Sequence, residues 1–170
     1  MTESEIEGVL DSCEIALAGG GPIDLKAERF WTAVGAVKRD PELSEKFADR
    51  IGAIDGQAFD QWALRSIPIA VGESLLWLGS VAALAIIAVG YYIDSPWNGI
   101  LLLVGTAMLL ITTHGLGHLI VGRAVGIRFT RWFIAGWSRP QPGVKTDYAT
   151  YLRVAARKRA WMHASGALVT

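Results

Sequence analysis

"GILLLVGTAMLLITTHGLGHLIVG", residues 99–122, decides the fold of this chain. Its 24 residues include no Asp, Glu, Lys or Arg. About 20 apolar residues in a helix cross the hydrocarbon core of a bilayer, so the stretch reads as a membrane span. Upstream, residues 67–93, "IPIAVGESLLWLGSVAALAIIAVGYYI", form a second such run with one acid, Glu73. Only "DSPWN" at 94–98 separates the two, a polar turn with a proline and an interfacial tryptophan. The pattern predicts a tight antiparallel hairpin with spans over about 67–93 and 99–122.

Composition agrees. Of 170 residues, 52% are hydrophobic, and the mean hydropathy is +0.35. Those values belong to the membrane class. The net charge of zero conceals three regions. Residues 1–65 hold 13 acids and 7 bases, residues 66–122 hold two acids, and residues 123–170 hold nine bases and one acid. Arg123, Arg128, Arg131 and Arg139 follow the second span closely. Short basic flanks stay cytoplasmic, and two spans then place the N-terminus on the same side. The expected location is integral to the cell membrane, with residues 1–65 and 123–159 cytoplasmic. Residues 1–18 are acidic and lack the basic start of a secretory signal. The single cysteine, Cys13, excludes an internal disulfide framework and fits a reducing compartment.

Residues 1–65 read as a soluble helical region. Ile6, Val9, Leu10, Cys13 and Leu17 recur at helical spacing, and "GGGP" at 19–22 ends that helix. Further helices are expected over about 24–39, from Pro41 onward, and over 56–66. No chemical motif appears there. The remainder, 66–170, reads as the membrane domain. After Gly122, "VGIRFTRWFIAGW" at 125–137 resembles an interfacial strand pair, and "SRPQPG" at 138–143 is a loop. Residues 147–160 read as a basic amphipathic helix suited to anionic lipid, with Tyr148, Tyr151, Leu152 and Val154 against Arg153, Arg157, Lys158 and Arg159. Bases beside a span meet lipid head groups, so membrane lipid is the expected partner and nucleic acid is not. A third hydrophobic segment opens near Ala160. Its 11 residues, 160–170, are too short to span, so the sequence stops partway through an element. The predicted class is mainly α: a polytopic membrane protein with a small soluble N-terminal helical region and a short interfacial β-like hairpin after the second span.

His114 and His118 carry the chemistry. Side chains four apart share one helix face, so both imidazoles can reach one ion. Catalytic zinc takes three protein ligands and a water, which leaves one ligand to find. Titratable groups within a span usually face the bundle interior and serve a function. The competing reading gives both histidines interhelical hydrogen bonds, with Gly115 and Gly117 allowing close helix approach.

The run "THGLGHLIVGRAVGIRFTRWFIAGWSRP" resembles the site-2 protease family of intramembrane zinc metalloproteases. That family's motif helix reads H-E-x-G-H, followed by a small-residue stretch, "G-[IV]-x-[VF]", and a hairpin like "F-x-I-G-x-G-P". His114, Gly117, His118, Gly126 and the run through Pro140 follow the outline. "HASGALVT" is similar to the family's "A-G-P-x-x-N", with Gly166 matching, Ala167 in place of the proline and Thr170 in place of the asparagine. The resemblance covers about residues 99–170 and is most specific over 114–140. It implies a zinc cofactor held by His114 and His118, hydrolysis of a peptide bond in a transmembrane protein substrate, and a third ligand, aspartate, from a later span. It also implies that Gly115 occupies the position of the catalytic glutamate. Glycine cannot take a proton, so no residue is assigned as catalytic.

Glu73 is the one acid well inside a span. At about 1.5 Å per residue it lies about 9 Å deep, against about 6 Å for His118 and 12 Å for His114. It is a candidate ligand, substitute base or imidazole-orienting acceptor, or else a protonated carboxyl near the interface. His163 is the remaining histidine and a further candidate ligand. Three functions stay open: an impaired site-2-type metalloprotease, a non-catalytic binding or scaffold protein for a transmembrane partner, and a metal-binding or transport protein using Glu73, His114 and His118.

Overall fold

The computed structural model describes residues 1–63, 65–134 and 142–170. Arg139, Pro140 and the rest of 135–141 lie outside the described residues, so the loop and the end of the family-like run are not placed.

The N-terminal region forms three helices. α1 (Glu3–Ala18) is opened by a capping box, in which Thr2 Oγ1 accepts from the Glu5 amide and the Glu5 carboxylate accepts from the Thr2 amide at 2.6 Å. α2 is short (Phe30–Val37) and begins six residues later than the periodicity suggested, because residues 24–29 are occupied by turns, with the Asp24 carboxylate accepting from the amides of Lys26 and Ala27. α3 (Pro41–Trp62) joins the third and fourth expected helices into one. Asp40 caps it and Pro41 supplies its first turn, while Gly52 and Gly56 pass through without breaking it. Ile6, Leu10, Cys13, Phe30, Val34, Phe47 and Ile51 make a fully enclosed core.

α4 (Ile69–Gly90) and α5 (Trp97–Ala124) form the antiparallel hairpin, and both are long and apolar enough to cross a membrane. Fewer than a quarter of the residues in either apolar window are buried, unlike the core helices of a soluble bundle. Ser80 Oγ donates to Thr112 Oγ1 at 2.9 Å across the hairpin. Small and hydroxylated residues thus hold the helices together where apolar side chains face outward.

Three strands form an antiparallel sheet in the order β1-β2-β3: β1 (Arg65–Pro68), β2 (Phe129–Ile134) and β3 (Pro142–Thr146). β1 comes from what reads in sequence as the start of the first span. Pro68 opposes Arg131 and Arg65 opposes Ile134. The expected single helix over 147–160 is two, α6 (Tyr148–Arg153) and α7 (Ala156–Leu168), because Val154 and Ala155 are extended. α7 takes up most of the segment expected to open a third span. It has 13 residues, too few to cross, and among the described residues two helices have spanning length.

The two polar regions pack against each other at one end of the hairpin. Leu152 of α6 is buried in the N-terminal core. Arg153 grips Asp49 through both terminal nitrogens, at 2.9 and 2.8 Å, and donates to Glu45 at 2.9 Å. Asp55 and Lys145 form a largely enclosed ion pair, and burial holds the Asp55 carboxyl above its ordinary range despite the ammonium beside it. Lys38 donates to the Tyr148 hydroxyl at 3.0 Å and lies over the Tyr148 and Tyr151 rings; burial lowers its pKa. Arg159 is therefore buried in protein, while Arg153 is exposed but committed to Asp49 and Glu45. Arg157 and Lys158 of the expected lipid-facing set are exposed and unpaired.

Candidate metal centre

His114 and His118 sit four residues apart on α5, and their rings meet edge to face with centroids 4.7 Å apart. Their Nε2 atoms lie 3.1 Å from each other. His118 Nδ1 is 2.7 Å from the Met162 carbonyl of α7. A carbonyl can only accept, so Nδ1 carries the proton and, in the neutral ring, Nε2 keeps its lone pair. That lone pair is directed towards His114. Two nitrogens bound to one tetrahedral zinc at ~2.0–2.1 Å lie roughly 3.3 Å apart, close to the observed separation. The same 3.1 Å also suits a hydrogen bond in which His114 Nε2–H donates.

α7 reaches the pair through small residues. Gly117 lies against Ser165, and Ser165 Oγ donates to the Gly117 carbonyl at 3.1 Å. Gly166 faces both imidazoles: a Cβ there would sit 2.7 Å from Cε1 of His114 and of His118. Thr170, the residue matched to the family's asparagine, lines the same cleft, and its hydroxyl donates to the Gly166 carbonyl at 3.1 Å. The cleft holds about 750 Å³, with His114, Gly115 and His118 on one wall and Trp132 and Val144 of the sheet on another.

Gly115 lines the cleft beside the histidines. A Cβ at 115 would meet only the flexible end of Leu76, at 3.1 Å. A larger side chain there would require the buried Leu76 to shift. Glu73 does not stand in for the missing carboxylate. Its carboxylate is held bidentately by Arg123 at 2.7 and 2.8 Å. Arg123 is five residues beyond His118, about 140° further around the helix, and nine beyond His114, about 180°. Glu73 therefore has the depth of the histidines but lies on the other side of α5. His163 is likewise directed elsewhere, with Nε2 2.9 Å from the Tyr151 hydroxyl. Among the described residues, no three His, Cys, Asp or Glu side chains converge on one point. The chain thus brings together two of the four residues proposed for metal chemistry.

Nothing in the sequence alone marks Met162, Ser165 or β3 as parts of the site. The small pair Ser165–Gly166, following a histidine, signals only a close helix crossing. No protein-family model, curated protein or solved structure matches this chain.

Proposed function

We propose that this chain is a membrane-embedded, zinc-binding relative of the site-2 proteases that does not cleave peptide bonds. The observation that carries the reading is the convergence of the His114 and His118 Nε2 atoms, with His118 held in the ligating tautomer by the Met162 carbonyl. A backbone acceptor on the far nitrogen is the usual support of a metal-bound imidazole. His114 and His118 would hold the ion from one face of α5. When bound, zinc polarises a carbonyl oxygen and acidifies water. Among the described residues, none of those lining the cleft carries a side-chain carboxylate. Gly115 offers no proton acceptor, and Arg123 keeps the Glu73 carboxylate on the opposite side of the helix. General-base assistance contributes about 10²–10⁴-fold, so its loss leaves cleavage near background. The transport reading needs Glu73 beside the histidines and gains no support from its ion pair.

Membrane insertion of α4 and α5 belongs to this proposal. Their exposed apolar surfaces support it, and the bases at one end favour a cytoplasmic location for the N-terminal bundle and the sheet. The test is zinc affinity of the full chain in detergent, by competition with a chromophoric chelator. Wild type binds one zinc, and His118→Ala loses most of that affinity. Equal affinity in the two proteins would leave the histidines as a packing pair.

A further inference from the structure

Some cations of this chain are paired within it and others are not. Among the described residues, Lys46, Arg50, Arg123, Lys145 and Arg153 each pair with a carboxylate, and Arg159 is buried with its guanidinium on the carbonyls of Leu152 and Lys38. Among the described residues, Lys26, Arg39, Arg65, Arg128, Arg131, Arg157 and Lys158 are exposed and have no carboxylate within ion-pair distance.

Four of these, Arg128, Arg131, Arg157 and Lys158, share one level of the structure, whereas Lys26 and Arg39 lie on the N-terminal bundle. α7 runs antiparallel to α5: Gly117 lies against Ser165, Gly122 against Met162, and Gly126 against Val154. Arg157 and Lys158 therefore stand beside the last turn of α5. Arg131 opposes Pro68, the residue that precedes α4, and Trp132 lies on Gly72 within the first turn of that helix. Arg128 is fixed near the same end, its amide donating to Thr150 Oγ1 at 3.0 Å. Trp161, one turn further along α7 than Lys158, is 54% exposed. An exposed tryptophan below a row of bases is the arrangement that suits a headgroup boundary.

We propose that Arg128, Arg131, Arg157 and Lys158 form a collar around the end of the hairpin that seats on the phosphates of anionic phospholipid. The proposal rests on the membrane reading of α4 and α5 and is independent of the zinc site. Four exposed bases at one level, with no carboxylate in ion-pair reach, complement anions from outside the chain. A leaflet carrying anionic lipid supplies them at this level. Each base near such a surface strengthens the interaction by roughly fivefold. The short-ranged character of the attraction makes it sensitive to salt.

The experiment is energy transfer from the native tryptophans of the full chain, in neutral detergent micelles, to pyrene-labelled phosphatidylglycerol or phosphatidylcholine. Wild type prefers phosphatidylglycerol, and the preference falls roughly fivefold for each base replaced by glutamine, vanishing when all four of R128Q, R131Q, R157Q and K158Q are combined. K26Q with K46Q, on the N-terminal bundle, leaves it unchanged. Equal binding of the two lipids by wild type, or an unaltered preference in the quadruple variant, overturns the collar. Displacement of the lipid by millimolar inorganic phosphate also overturns it, since the site would then serve a soluble anion. A chain that stays monodisperse without detergent overturns the membrane reading and the collar together, whereas a detergent-dependent chain without lipid selectivity overturns the collar alone.

Discussion

Gly166→Ala adds one methyl group where α7 meets the histidine pair. The new Cβ would stand 2.7 Å from Cε1 of both imidazoles, whereas carbon atoms rest at about 3.5–4.0 Å. Something must retreat by about 1 Å. α7 is held by the Ser165 hydroxyl on the Gly117 carbonyl and by the contact of Gly117 with the Ser165 backbone, so the rings are the softer element. His118 is tied through Nδ1 to Met162, which leaves displacement of one Nε2 from the other as the main relief. Overpacking by a methylene costs about 1–3 kcal/mol. Because a ligating geometry must be restored before the ion can bind, that cost appears in the zinc equilibrium as a loss of roughly 10–100-fold. The assay is the chelator competition, with thermal unfolding measured on the same sample. Wild-type zinc affinity in Gly166→Ala, with an unchanged midpoint, would refute the close crossing and the role assigned to the imidazole face.

Two other consequences follow from the packing of the polar regions and from the hairpin. Asp55→Asn leaves the enclosed Lys145 ammonium unpaired, which costs about 3–5 kcal/mol, and thermal unfolding in detergent should fall by about 10 °C, while Asp55→Leu combined with Lys145→Met should lose less than the single change. A shift of under about 2 °C in Asp55→Asn would mean that the pair is not desolvated. Cys13 is fully buried, so topology is better read in a Cys13→Ser background: a cysteine at Asp94 reacts with an impermeant maleimide in intact cells, and one at Lys26 does not. Labelling at Lys26 would reverse the orientation.

The hairpin was legible because two long runs with one acid between them admit few other structures. The first helix was legible from its spacing, and the histidine pair from its four-residue interval. β1 was not, since Arg65–Pro68 merges in sequence with the apolar run and acquires its partner from residues 129–134, some 60 positions away. The split between α6 and α7 escaped the periodicity because Leu152 and Arg153 serve the N-terminal bundle, a contact no local pattern encodes. Glu73 was misplaced for a geometric reason. Depth along a span follows from counting residues, but the side of the helix depends on how α4 and α5 rotate against each other, and Arg123 determines that.

The central claim is that His114 and His118 jointly hold one zinc ion. X-ray absorption at the zinc edge, recorded on the full chain loaded with one equivalent, reads the ligands themselves. The account predicts nitrogen scatterers at about 2.0–2.1 Å with the outer-shell pattern of two imidazoles, falling to one in His114→Ala. A spectrum without imidazole scattering, or one identical in His114→Ala, would contradict it.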